Sequence, residues 1–342
     1  MRKLVLAVFI LTAVAAHAQF VNGDFEQAKP ATAPPNGAWT LKTGMLPESW
    51  NYNGQYGGPV GLVGDAHGGK QALSFSASGT IAHVISQPIP VKTGEILELS
   101  GWAKDGTVSL TFYDVGENSK WLRTVPTVAR IEAPKTWTEG GGYYVVSDPA
   151  VTAVNVVLET DKAGVTADDI VLRKIAASSA AGPDITLDMQ NCRLVLTAAG
   201  ACKSFYDKTL KEERLSGEPR PFMSAKVGAW TLPVTSLKQQ GNSLIASFGD
   251  KLEATFDCQT GPFWVRLALK SSSPALSAVT LVDLNLKTLG NTGNTLCADY
   301  NDKSAVGVMA LDYSGLAQAR TLAGQSLSLQ CGYGKYGTDK AA

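Results

Sequence analysis

The feature that most restricts what this chain can fold into is its punctuation. Runs such as Ile96-Leu97-Glu98-Leu99-Ser100-Gly101-Trp102 and Val154-Asn155-Val156-Val157-Leu158 are apolar or alternate apolar with polar residues, and turns rich in Gly and Pro end each one. No segment of the mature chain shows the apolar period of about 3.6 residues that marks an amphipathic helix. Successive side chains on a strand point to opposite faces, so runs like these bury their apolar face by packing sheet on sheet. The 34 Gly and 16 Pro supply the turns. The pattern predicts an all-β protein of two β-sandwich domains. Strands are expected over 82–88, 95–104, 107–114, 124–132, 137–146 and 152–159 in the first half. In the second half they are expected over 192–197, 201–207, 243–248, 252–257, 264–269, 279–286, 305–311 and 326–331.

Met1 to Ala18 has the layout of a secretory signal peptide. Arg2 and Lys3 precede an apolar run, and Ala16-His17-Ala18 is a small-x-small cleavage site. The run is too short to span a bilayer, and no other stretch reaches that length. A secreted or periplasmic location after cleavage near Ala18 is expected. Loss of Arg2 and Lys3 leaves 28 basic residues against 30 acidic ones, a net charge of −2. No basic excess remains to neutralise a phosphate backbone, so nucleic acid is not an expected partner. At 342 residues two domains are the natural count. Ala176 to Gly182 (AASSAAG) is small and polar, which sets the expected division at 19–175 and 183–342 with 176–182 as linker.

Two stretches at opposite ends of the first half belong together. Val21-Asn22-Gly23-Asp24-Phe25-Glu26 lies where the mature chain begins, and Ala167-Asp168-Asp169-Ile170-Val171-Leu172 is a strand with adjacent carboxylates. First and last strands of a sandwich pair to close the domain, which would bring Glu26 near the Asp pair. With Pro47-Glu48-Ser49-Trp50 and Gly68-Gly69-Lys70-Gln71-Ala72-Leu73-Ser74-Phe75 between them, these stretches resemble carbohydrate-binding modules of the galactose-binding-like jelly-roll fold. The resemblance covers roughly residues 20–175. It implies that the first domain is a jelly roll, that Trp50 is core, and that a structural calcium is held by Glu26 and Asp168. Carbonyls around Gly23 and Lys70 would complete the shell. Asp168 shares the face of Ile170, whereas Asp169 points to solvent.

The second half shows the order strand, Ala199-Gly200 turn, strand, Tyr206-Asp207-Lys208, and later Phe248-Gly249-Asp250. This layout is similar to the mutarotase-like β-sandwich of secreted glycoside hydrolases. Its last residues lack a closing strand, from which the chain is expected to be the front part of a longer polypeptide. All five Cys lie here: Cys192, Cys202, Cys258, Cys297 and Cys331. Export permits disulfides, and burial as small apolar residues is equally open. A turn at Ala198-Ala199-Gly200 sets Cys202 opposite Leu196, so Cys192 and Cys202 are not a hairpin pair.

Carbohydrate modules stack aromatic rings on sugars. Trp39, Tyr52, Tyr56 and Trp121 lie in Gly- and Asn-rich loops and are the candidate carbohydrate-binding residues; Trp102 and Trp137 lie on strand patterns and read as core. The mature chain has two His, His67 and His83, and no GxSxG, HExxH or phosphate loop. Asp283, Asp299 and Asp302 are the acidic residues worth noting for catalysis, with a solvated edge or turn as the simpler reading. Three functions stay open. One is a non-catalytic carbohydrate-binding region of a polysaccharide-degrading glycoside hydrolase. The others are a hydrolase or lyase with its active site in the second domain, and a structural or adhesive surface protein.

Overall fold

A computed structural model describes residues 22–30, 45–52, 60–76, 81–249, 252–293, 297–311, 315–322 and 326–334. For Pro30, Tyr52 and the last two segments it describes the strand path alone. The leader, Trp39 and Tyr56 lie outside the described residues.

Among the described residues the first half holds fourteen strands. They are β1 (Ala28–Pro30), β2 (Met45–Pro47), β3 (Trp50–Tyr52), β4 (Val60–Val63), β5 (Ala72–Phe75), β6 (Ala82–Ser86) and β7 (Ile89–Pro90). After these come β8 (Ile96–Lys104), β9 (Gly106–Val115), β10 (Trp121–Thr124), β11 (Ala129–Ala133), β12 (Thr138–Val145), β13 (Ala153–Thr160) and β14 (Val165–Ile175). One sheet runs β10-β9-β13-β6-β3, with β11 beside β9 and β7 beside β13. The other runs β12-β8-β14-β5-β4. Alternation decides what lies between them: Val108, Leu110 and Phe112 of β9, and Leu97, Leu99 and Ala103 of β8, are fully buried in one cluster with Phe25, Trp50 and Phe75. Trp50 meets Phe25 edge to face at 5.4 Å, and its Nε1–H donates to the Asn22 carbonyl. The architecture is an all-β sandwich of jelly-roll type.

The second half adds β15 (Ile185–Asp188), β16 (Cys192–Leu196), β17 (Cys202–Asp207), β18 (Glu212–Glu213), β19 (Ser224–Val227), β20 (Trp230–Gln240) and β21 (Ser243–Phe248). Beyond these lie β22 (Leu252–Thr260), β23 (Val265–Ser272), β24 (Ala278–Lys287), β25 (Asn291–Gly293), β26 (Ala298–Tyr300), β27 (Ala305–Gly307), β28 (Gly315–Leu322) and β29 (Ser326–Gly334). Sheet β28-β29-β24-β19-β20 continues through β21, β22 and β23, and β15 to β18 form a separate four-stranded sheet. A second buried cluster, from Ile185 to Leu286, fills this half with Phe222, Phe248 and Phe256.

Three local outcomes differ from the sequence reading. Residues 22–27 make turns rather than a strand, and they meet β14 through one hydrogen bond, from the Ile170 N–H to the Gly23 carbonyl (2.8 Å). The strand expected over 124–132 is two, β10 and β11, both paired to β9; Pro126 between them has no N–H for a ladder. The long strand β20 was missed because Pro233 interrupts its pattern. Pro233 sits where β20 leaves β19 and takes up β21, a position that tolerates the missing donor. The β16–β17 hairpin has Leu196 opposite Cys202 and Cys192 opposite Asp207, with Gly200 at φ +87°. Cys192, Cys202 and Cys258 carry free thiols.

The two halves touch along β12, which forms a parallel bridge from Gly141 to Trp230 of β20. The run Gly140-Gly141-Gly142 makes this approach possible. A Cβ on Gly141 would lie 2.7 Å from Trp230 Cζ3 and 2.8 Å from Ser100 Cβ, and one on Gly140 would lie 2.7 Å from Ala229 Cβ.

Candidate functional site

Polar side chains gather in several places of the first half, and two of these bear on binding. The first is the loop between β4 and β5. Glu26 Oε1 accepts the N–H groups of Lys70 (2.6 Å) and Gln71 (2.8 Å). Asp168 Oδ2 accepts those of His67 (2.8 Å) and Gly68 (3.1 Å), and its Oδ1 accepts that of Asp169 (2.8 Å). Residues from opposite ends of the domain thus hold one loop. Gly68 and Gly69 make room: a Cβ on Gly68 would lie 2.7 Å from Asp169 Oδ2, and one on Gly69, at φ +64°, would strike the Glu26 carboxylate.

The main-chain N–H of Lys70, with that of Gln71, holds the Glu26 carboxyl below the ordinary range. Asp168 behaves oppositely. It is fully buried, and burial pushes its carboxyl up to about 6 although three N–H groups favour the anion. Asp169, expected to point to solvent, turns at φ +47° inside a β14 bulge and meets His67 Nδ1 at 2.7 Å. The His67 ring stacks on Trp102 at 3.7 Å and meets Trp137 edge-on at 5.8 Å. Trp102 and Trp137 are therefore half-buried surface residues on the outer side of the sheet, not core.

The corner holds two carboxylates, the oxygen type that a hard cation takes, and both already accept main-chain N–H groups. Asp168 is buried with no Lys or Arg in ion-pair contact among the described residues, a charge that a divalent cation would compensate. No three His, Cys, Asp or Glu side chains gather at a metal-sized point among the described residues. A cation here would take its remaining ligands from carbonyls and water. The Gly23 carbonyl already accepts the Ile170 N–H, and Lys70 turns its N–H toward Glu26.

The second place is the outer face of sheet β10-β9-β13-β6-β3. Alternation sends Val154, Val156 and Leu158 inward and Asn155, Val157 and Glu159 outward. Register then joins neighbours on that face: Asn155 lies opposite Tyr113, Val157 opposite Thr111 and Ile85, Glu159 opposite Ser109 and His83. Asn51 lies opposite Ile85, and Trp121 opposite Val115. The floor of this outer face is buried, with Val157, Thr111, His83 and Ile85 all below a tenth exposed. Tyr113, Asn155 and Glu159 are half-buried, whereas Asn51 and Trp121 are exposed, Trp121 at 57%.

His83 joins the row together, with Nδ1 3.1 Å from the Tyr113 hydroxyl and Nε2 3.2 Å from Glu159 Oε1. Burial pushes the imidazole down to about 4 and the Glu159 carboxyl up. A neutral ring serves both contacts when Nε2–H donates to Glu159 and Nδ1 accepts the Tyr113 O–H. Asn155 Nδ2 donates to the Ser86 carbonyl (2.7 Å), which fixes its amide.

Of the sequence candidates, Trp121 is the first residue of β10 and shares this face. Tyr52 lies on β3 opposite Val84, with its side chain undescribed. Tyr113, His83, Asn155 and Glu159 were missed. Their signal was partial: Asn155 and Glu159 stand at i and i+4 in the otherwise apolar run 153–159, and His83 stands alone among the apolar residues of 82–85. In the second half, Asp283 pairs with Arg220 at 3.1 Å, and buried Asp299 accepts from Thr288 and Thr292 hydroxyls, so both anchor the fold.

No protein-family model and no curated protein matches the chain. Solved structures similar to it include carbohydrate-binding modules. The CBM22-1 xylan-binding domain of Xyn10C from Paenibacillus barcinonensis is 18% identical, with a TM-score of 0.30 over 41% of this chain and 94% of that one. The CBM22-1–GH10 modules of Clostridium thermocellum Xyn10B, complexed with xylohexaose, are 16% identical, with a TM-score of 0.31 over 39% and 27%. The enzymatically active domain of tailspike protein 4 from bacteriophage CBA120 is 15% identical, with a TM-score of 0.32 over 37% of this chain and only 20% of that one. All three TM-scores lie below 0.5. No helix among the described residues is long and apolar enough to cross a membrane.

Proposed function

We propose that the first half binds a glycan on the outer face of sheet β10-β9-β13-β6-β3, as the non-catalytic part of an exported polysaccharide-acting protein. One observation carries the reading: a fixed row of hydrogen-bonding side chains, Asn155, Tyr113, His83 and Glu159, lies beside an exposed Trp121 on one face. Sugars present hydroxyls around an apolar ring face, and this row offers an amide, a phenol and a carboxylate next to an indole. The polar groups are held by one another, so little conformational freedom is lost on binding. Calcium at Glu26 and Asp168 is the stabilising cofactor of the same half. It would neutralise the buried Asp168 carboxylate, while N–H bonds to Glu26 and Asp168 hold the 67–71 loop.

The test is affinity electrophoresis of the full chain through gels with soluble xylan, β-1,4-galactan or mixed-linkage β-glucan. Trp121→Ala and Tyr113→Ala should each weaken retention about tenfold, some 1.4 kcal/mol. Trp121→Ala should leave the melting temperature unchanged, because an exposed side chain contributes little packing. Unaltered retention of both variants on a polysaccharide that retards the parent would place the binding elsewhere.

A further inference from the structure

The turn between β22 and β23 presents Phe263 and Trp264 side by side, 64% and 48% exposed. Adjacent large aromatics held rigidly in water mark a contact site more often than a chance exposure. Rigidity here is built in. The Gly261 N–H donates to the Trp264 carbonyl (2.9 Å), Pro262 locks its own φ, and the Gln190 N–H donates to the Pro262 carbonyl (2.7 Å). That last bond ties the turn to the one joining β15 and β16. The indole lies across Gly261, where a Cβ would sit 2.5 Å from Nε1 and 2.7 Å from Cζ2. The indole thus rests against glycine main chain and remains 48% exposed.

We propose that this turn is a second glycan-binding site, taking one pyranose ring on the exposed indole. The indole ring is held against Gly261 main chain, a fixed platform of the kind stacking on a sugar uses. The groups around it are exposed and polar: Gln190 on the tethered turn, and Gln259 cross-strand from Arg266. Two side chains cover the area of a sugar ring. A stable protein interface buries about 800 Å² on each partner, far more than this tip presents. The platform belongs to the second half, whose buried cluster is separate from the one beneath the outer face already described. It therefore stands or falls independently of that face.

The experiment measures retention of the full chain on arabinoxylan, β-1,4-galactan and mixed-linkage β-glucan for Trp264→Ala and Phe263→Ala, each also made in a Tyr113→Ala background. Trp264→Ala should lower retention on at least one polysaccharide about fivefold in both backgrounds, with an unchanged melting temperature, and Trp264→Phe should recover part of it. Failure of the first-half reading shows as no effect of Tyr113→Ala and leaves this result standing. Should Trp264→Ala lower the melting temperature, iodide quenching of the parent decides: added oligosaccharide must protect a tryptophan that Trp264→Phe lacks. Unchanged retention in both backgrounds overturns the proposal. So does absent protection, or a variant whose sole loss is co-sedimentation with anionic phospholipid vesicles.

Discussion

Asp168 and His83 pull the stability of the first half in opposite directions with pH. Asp168 titrates near 6 when folded against 3.8 as a free side chain, so the folded state holds its proton more tightly. That contribution is fully present below 3.8 and is lost as pH rises through about 6. His83 titrates near 4 against 6.5, so the unfolded state takes up the proton first. Its contribution is present above 6.5 and is lost as pH falls toward 4. Each displacement corresponds to about 3 kcal/mol at its limit, so neither dominates. The variants separate them. In chelator, Asp168→Asn should leave a melting temperature that rises from pH 4 to 6.5, and His83→Gln one that falls over pH 4 to 6. Millimolar calcium should abolish the falling limb in His83→Gln, because a cation binds the ionised Asp168. Identical profiles with calcium and with chelator would sink the metal assignment while leaving the proton linkage intact.

Elements were legible where residues alone determine them. The period-2 runs gave Ser243–Phe248 residue for residue and placed Leu196 opposite Cys202, because alternation and a Gly turn settle both. Glu26 and Asp168 both reach the 67–71 loop, but not by the expected pairing of first and last strands, since β1 pairs β2 and β14 pairs β5 and β8. What pairing and packing determine was not legible. Trp102 and Trp137 carry strand patterns, and only the sheet's placement shows that their face is outward. The His83–Tyr113–Glu159 row needs the register of three strands far apart in sequence. Gly140-Gly141-Gly142 lie inside the expected strand 137–146, and they are what lets β20 approach β12. Gly141→Ala should therefore cost about 1–3 kcal/mol, because its methyl would meet Trp230, Ser100 and the Leu99 carbonyl at 2.7–2.9 Å. Chemical denaturation of Gly141→Ala, Trp230→Ala and the double variant checks this. The double variant should lose less than the sum, and strict additivity would mean that the ring does not press on Gly141.

At the scale of the molecule, the question is whether the halves behave as one body. Their buried clusters are separate, but the seam between them is polar and specific. Tyr143 of β12 bonds Ser224 and faces Arg220 and Asp283, and burial pushes its phenol up. Arg220 Nη2 meets Asp283 Oδ2 at 3.1 Å, and a Cβ on Gly217, at φ +73°, would strike the Ser147 carbonyl across the seam. Arg220 Nε, Asp283 Oδ1 and Asn285 Oδ1 are buried without protein partners around a cavity of about 10 Å³, the space of one water. A water there would accept from Arg220 Nε–H and donate to both oxygens. Such groups gain nothing from separating unless solvent replaces every bond, which favours a single cooperative transition. The intact chain should show calorimetric and van't Hoff enthalpies that agree. Asp283→Ala leaves Arg220 largely buried beside Tyr143 with no carboxylate, at a cost of roughly 2–3 kcal/mol since Arg220 keeps some solvent contact. That loss falls on the seam and the second half. The variant should melt in two steps, with the upper one keeping whatever calcium response the first half has. A single transition that merely shifts downward would show the halves joined mainly by the Gly141–Trp230 contact, and not by the charges beside it.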